Sequence, residues 1–436
     1  PGSPTGVAAG VGAKFPAKYQ DAIFALDWTF GTIYAIHMQP QGAGDRGVRE
    51  PVVTGAPRPV TDAVVGHDGA LYFTVGGRGT QSALYRVRYV GPESTEPISG
   101  EALPEEVAAA RRARQALERF HGKQLPGAAA DKAIDELWPY IVSDDRFLRA
   151  AARVALESQS VDRWRDRVIA ESTPQAAITS AVALARSGAD SDQSALLDHL
   201  LGIDPAGLSD DQLLGWMRAI SLTFIRLGKP NGQQRSATLS VLDPLLPHSN
   251  DDANTELIRL LTYLQSPTVV EKTIALINNR NSPEIPDWSE LASRNARYGG
   301  TVNRVLENHP PSREIGYALM LRHLRDGWTI DQRRDYFEFL NAAAKASGGA
   351  SFPGFIRNIR DEALALCSDA ERSSLQAITG EQYNPVPDFE IKPILGPGRK
   401  WTIDQAHRLA ANRFREANFE KGRSLYFATQ CGKCHR

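Results

Sequence analysis

The sequence predicts a multidomain chain with an all-β segment first, a long stack of α-helices in the middle and a short all-α segment at the end. Three observations predict it. Strand-like runs rich in β-branched and aromatic residues fill the stretch from Ala22 to Tyr89. Leucine, alanine and arginine then dominate, with apolar residues at helical spacing, until about residue 379. The last residues carry the string Cys431-Gly432-Lys433-Cys434-His435 behind a helical run.

The strands are expected at Ala22 to Trp28, Thr32 to Met38, Ala70 to Val75 and Ala83 to Tyr89, with glycine and proline in the gaps. His67-Asp68-Gly69 lies between the apolar runs Val60 to Val65 and Leu71 to Thr74, where residues that accept positive φ make a tight hairpin. The polar segment from Pro92 to Pro104 reads as a connector, which puts a domain boundary near residue 100.

In the helical region one buried face is written as Leu213, Trp216, Met217 and Ile220, another as Leu257, Leu260, Leu261 and Leu264, and a third as Tyr336, Phe339, Leu340 and Ala343. Helix starts are expected at Ser143-Asp144-Asp145, Ser209-Asp210-Asp211 and Asn250-Asp251-Asp252, where short polar side chains accept from free amides. Helix stops are expected near Pro174, Pro205, Pro230 and Pro267. Successive amphipathic helices with short breaks predict a stacked α-solenoid of HEAT-like pairs. Proline returns from Gly380 to Lys400, which predicts an extended linker, and Thr402 with Gln405 at capping-box spacing restarts a helix.

The C-x-x-C-H string reads as a c-type haem attachment site, with Cys431 and Cys434 forming thioethers to the porphyrin and His435 the proximal iron ligand. Two other chemistries use such spacing. A structural zinc site needs four ligands, and the one further cysteine, Cys367, stands alone. A redox dithiol follows a strand in its usual fold, whereas the segment from Phe419 to Gln430 reads as helix.

The run from Asn418 to Phe427, with Gly422, Leu425 and Tyr426, resembles the first helix of class I cytochrome c domains. That family commonly supplies a distal methionine after the motif. Met38, Met217 and Met320 all precede it, and the chain is expected to be an internal fragment. The pair of stretches from Ile23 to Trp28 and from Ala63 to Phe73 resembles blades of six-bladed sugar-dehydrogenase propellers. Taken in order, the whole resembles the PVC-type haem-binding proteins; Thr74 to Thr80, Asp145 to Arg149 and Phe352 to Arg360 also carry that likeness.

The resemblance implies a partial β-propeller with its terminal blade or blades at 1–95. A connector and first helix follow at 96–130, HEAT-like repeats at 131–379, a linker at 380–400, and the N-terminal part of a cytochrome c domain at 401–436. It implies haem c, an extracytoplasmic or periplasmic location, and, in a complete propeller, a quinone cofactor or Ca2+. His37, Asp27, Asp62, His67 and Arg78 would be the candidates if such a propeller were catalytic.

The remaining residues with chemical potential have plainer readings. The paired aspartates read as helix caps rather than metal or acid–base sites. Gly76-Gly77-Arg78-Gly79 reads as a strand turn rather than an anion cradle, and His407 as an ordinary packed or exposed histidine. Cys367, in an apolar helix, reads as a small buried hydrophobe with no redox role. The basic run from Arg111 to Lys123 reads as a solvated helix face.

Composition narrows the function classes. The 50 basic and 51 acidic residues leave no positive surplus for nucleic acid, and no stretch reaches transmembrane length. Three cysteines give no disulfide framework. Two functional readings stand. The first is an extracytoplasmic haem c electron-transfer protein, the electron-accepting part of an oxidoreductase or dehydrogenase acting on a carbohydrate-like substrate and passing electrons to a redox partner. The second is a protein-interaction scaffold, with a protein partner on the helical repeats and a haem relay or redox sensor but no catalysis of its own.

Overall fold

The computed structural model describes residues 3–55, 59–77, 80–98, 103–280, 308–346, 351–380, 400–413 and 418–429. The first elements are β1 (Pro4–Ala9), the short helix α1 (Ala17–Gln20), β2 (Ile23–Asp27), β3 (Thr32–Gln41) and β4 (Gly44–Thr54). They make a four-stranded antiparallel sheet in sequence order. A second antiparallel sheet follows, from β5 (Val60–Val65), β6 (Leu71–Gly77) and β7 (Thr80–Val87). The expected hairpin joins β5 to β6: Gly69 has φ 79° and its amide donates to the Gly66 carbonyl. Strand alternation works as expected, with Phe24 and Leu26 inward on β2 and Leu71, Phe73 and Val75 inward on β6. These residues join Phe15, Ile33 and Val60 in one core shared by both sheets.

A propeller followed by a solenoid and the start of a cytochrome domain is not the fold found. Among the described residues 57% are helical, with two small antiparallel sheets of four and three strands and no closed barrel. The reason lies in what strand patterning reports. Alternation of apolar and polar residues specifies pairing and a buried face but carries no information about ring closure. Two sheets already satisfy each other by burying Phe24, Leu26, Phe73 and their neighbours together. Helical periodicity is equally silent about a repeat. Beyond the β segment, described helix lengths run from the five residues of α5 (Arg165–Ile169) to the eighteen of α8 (Asp210–Leu227), with 3-10 turns at Asp190–Asp192 and Pro205–Gly207.

Among the described residues the chain divides into two compact units, one ending at Leu264 and the other beginning at Gln265. In the first unit, α2 (Glu105–Glu118) packs on α4 (Arg146–Glu157). Helix α4 in turn meets α6 (Pro174–Ser187), α6 meets α8, and α8 meets α10 (Asp251–Tyr263), while α3 (Gly127–Ile141) covers α4 and α7 (Gln193–Leu201) covers α8. The expected caps are in place: Asp145 accepts from Phe147 and Leu148, Ser209 from Gln212, and Asn250 from Asp252 and Ala253. The helix stops fall near the expected prolines, with α5 ending at Ile169, α7 at Leu201, α8 at Leu227 and α10 at Tyr263. Two of these prolines also begin the next element. Pro174 opens α6 and Pro205 opens a 3-10 turn, because a first-turn residue has no intrahelical amide bond to lose.

The β segment docks on this stack through its longest hairpin. The Ala43 amide at the β3–β4 turn donates to Asp145 Oδ2 at 2.5 Å, and Arg111 on α2 pairs with Asp45 at 2.6 Å. Gly44 lies against the Phe147 ring, so closely that a Cβ would overlap its carbon atoms.

The second unit begins with α11 (Val269–Asn278) and continues with α12 (Ser312–Leu321), α13 (Ile330–Ala343), α14 (Phe352–Ala365) and α15 (Asp369–Thr379). Tyr336 is fully buried and donates to the Ala318 carbonyl, and buried Arg333 pairs with Glu371 at 2.7 Å. Cys367 is buried here, as expected, and burial pushes its thiol up. Helices α16 (Ile403–Arg413) and α17 (Phe419–Ala428) follow.

Candidate functional site

Helix α17 is the described element that precedes the C-x-x-C-H string in sequence. Its start is built as the sequence reads: Asn418 Oδ1 accepts from the Lys421 amide at 2.9 Å. Its end is marked by Thr429, whose hydroxyl donates to the Leu425 carbonyl at 2.8 Å. Tyr426 and Phe427 meet edge to face with ring centroids 5.3 Å apart. No residue of α17 is buried, and Phe419 and Leu425 present apolar surface to solvent. Helix α16 carries the expected reciprocal cap, with the Thr402 amide donating to Gln405 Oε1 and the Gln405 amide to Thr402 Oγ1. His407 on that helix is exposed. Cys431, Cys434 and His435 lie outside the described residues.

The polar residues singled out in the β segment are not brought together. Asp27 Oδ1 accepts from the amides of Ser3, Thr29 and Phe30 and so closes a turn. Asp62 accepts from the Ala63 amide on an exposed strand face, and His67 sits exposed in the hairpin turn. Gly76 and Gly77 end β6, where the Gly76 carbonyl accepts from the Trp28 indole at 2.9 Å; Arg78 lies outside the described residues. The carboxylate with the largest charge partner in the hairpin is one the sequence reading passed over. Asp68 is held at about 2 by the Ala70 amide, by Arg86 and by Tyr72.

Two clusters come together only in three dimensions. On the four-stranded sheet, His37 of β3 meets Glu50 of β4 at 2.6 Å, and α1 adds Lys18 and Tyr19 to the same carboxylate. No strand was named over Glu50 in the sequence. The signal that could have found it is the pairing of Val48 and Glu50, two residues apart, opposite His37 and Ala35. In the helical stack, Trp138 on α3 donates to Glu171 at 3.0 Å, and the Arg167 guanidinium lies over the indole ring. Burial raises the Glu171 carboxyl, but donors from Thr173 and Trp138 outweigh it and leave it lowered. Burial lowers His199 on α7, against the opposing charge of Glu171. Among the described residues no group of three or more His, Cys, Asp or Glu could hold a metal ion, and no helix is long and apolar enough to cross a membrane.

No protein-family model, curated protein or solved structure matches the chain.

Proposed function

We propose that this chain is an extracytoplasmic electron-transfer protein with one haem c attached through Cys431 and Cys434 and ligated by His435. The observation that carries the reading is the C-x-x-C-H string itself. Its donor set suits the group: two thiols for two thioether bonds, and an imidazole, the commonest protein ligand of haem iron. The capped helix α17, ending three residues before Cys431, supports it by giving the string a structured approach. When bound, haem would supply reversible one-electron chemistry at iron. The chain's own part is to hold the group covalently, to fix the proximal nitrogen, and to offer the rings of Tyr426 and Phe427 near the attachment point in sequence.

The test is the intact mass under denaturing conditions, with the visible spectrum, of the 436-residue chain made in a periplasm equipped for haem attachment. A mass increase of one haem with c-type bands is expected, and Cys431→Ala with Cys434→Ala should return the bare polypeptide mass. A wild-type chain that keeps its bare mass while a control cytochrome matures in the same cells overturns the reading.

A further inference from the structure

The cluster around His37 carries an inference independent of haem. Both ring nitrogens of His37 have a partner, and both partners are acceptors. Nδ1 lies 3.0 Å from the backbone carbonyl of Lys18, and Nε2 lies 2.6 Å from Glu50 Oε2. A backbone carbonyl cannot donate. Nor does Glu50 have a proton to offer, because its two oxygens already accept from Lys18 Nζ at 3.1 and 3.2 Å and from Tyr19 Oη at 2.9 Å. Hydrogen bonding from His37, with help from Lys18 and Tyr19, holds the Glu50 carboxyl below its usual range. A neutral imidazole has one N–H, so it can serve only one of the two partners, and its bare nitrogen would then face another lone pair.

The bonds tie together pieces that local sequence does not connect. His37 and Glu50 are diagonal neighbours on one face of the β3–β4 pair, since His37 pairs with Val48 and Ala35 with Glu50. Lys18 and Tyr19 belong to α1. The Tyr19 ring packs on the shared core and lies 5.8 Å from the His37 ring. One residue further on, buried Gln20 donates to the carbonyls of Phe15 and Glu96 and accepts from the Ile98 amide. Helix α1 therefore holds the connector that leaves the β segment for the helices.

We propose that His37 is a proton-operated clasp: the doubly protonated ring binds α1 to strand β4, and loss of one ring proton releases α1 and with it the hold of Gln20 on the connector at 96–98. The groups facing His37 are Lys18 and Tyr19 from α1 and Glu50 from β4; Arg49, which pairs with Ile36, belongs to the opposite face of the sheet. The sign follows from the proton count. The clasp needs a charged imidazole and an ionised Glu50, so it is closed while the ring holds both protons and opens once rising pH removes one of them. Glu50 stays ionised well into acid because its carboxyl is lowered. Lys18, raised by its bonds to Tyr19 and Glu50, keeps its charge throughout.

The measurement is amide hydrogen exchange on the full chain between pH 5 and 8, corrected for the intrinsic pH dependence of exchange and read on peptides covering 16–22 and 94–98. Protection of both should fall about three- to tenfold with rising pH, the range expected of a charge-assisted bond at a half-exposed site. In His37→Gln, which keeps a donor but cannot titrate, the profile should be flat. In Glu50→Gln, protection should be reduced at acid pH and the fall correspondingly smaller. A flat wild-type profile, or a fall that persists unchanged in His37→Gln, overturns the clasp.

Discussion

Helices α8 and α17 begin in the same way and end in different circumstances. Each has a polar side chain at its first position accepting from the amide three residues on, Ser209 to Gln212 and Asn418 to Lys421. In α8 that start is followed by Leu213, Trp216, Met217 and Ile220, all buried, and the Trp216 indole donates to the Leu200 carbonyl of α7 at 2.7 Å. In α17 no residue is buried. The contrast separates two things that a helical sequence pattern mixes. A cap says where a helix begins; only a packed face ties it to the rest of a unit, because nucleation is costly and short isolated helices are marginal in water.

The largest effect expected from this contrast is at the packed face. Trp216→Ala removes a fully buried ring and leaves the Leu200 carbonyl without its donor, so it should cost about 3–5 kcal/mol. The loss should be read as lowered protection against hydrogen exchange through α6, α7 and α8 together. A loss confined to α8 would mean that the stack does not share one cooperative core.

The next effect compares the two caps directly. Ser209→Ala should destabilise the first unit by about 1 kcal/mol in urea unfolding, as removal of a helix cap usually does. Asn418→Ala should lower the helicity of α17 by circular dichroism of the chain while leaving that unfolding transition within about 0.5 kcal/mol of wild type. Equal effects on the transition would show that α17 is coupled to a packed core after all.

The smallest effect sharpens the same point on the sheet, where Asp68 is as exposed as Asn418 but closes a turn between two paired strands. Its carboxyl sits at about 2, below the ordinary 3.8, through the Ala70 amide, Arg86 and Tyr72. A lowered carboxyl contributes stability above its unfolded value and loses it as pH falls through the folded one. Amide protection across the β5–β6 hairpin should therefore weaken between about pH 4 and 2, the window between these two values. Asp68→Ala should show the weakened hairpin already at pH 5 and no further fall. A wild-type hairpin equally protected at pH 5 and pH 2 would count against the argument.

Much of this was legible along the chain. The caps Asp145, Ser209 and Asn250, the buried stripes of α8, α10 and α13, the hairpin at Gly69 and the burial of Cys367 all follow from residues within one or two turns of each other. The prolines show the limit even of local signals, since each marks where a helix stops but not whether it also opens the next element. Pro174 is as compatible with a helix start as with a stop, and the neighbours that decide lie in the packing of α6 against α4 and α8. Of the candidate site, the C-x-x-C-H string is the part written in the sequence, and the haem c reading proposed for it rests on that string.

What the sequence by itself determined is therefore local: where helices and strands begin, which face of each is apolar, and the Cys431, Cys434 and His435 string on which a haem c reading rests. Tertiary structure alone decided that, among the described residues, the strands pair into sheets of four and three. It also turned the second oxygen of the Asp145 cap to the Ala43 amide, and it put His37, Lys18 and Tyr19 on the Glu50 carboxylate. The physical reason is the range of the interactions. A cap or a stripe is satisfied within a turn of its own backbone, whereas sheet closure, docking and charge clusters depend on partners tens of residues away, whose placement no single segment encodes.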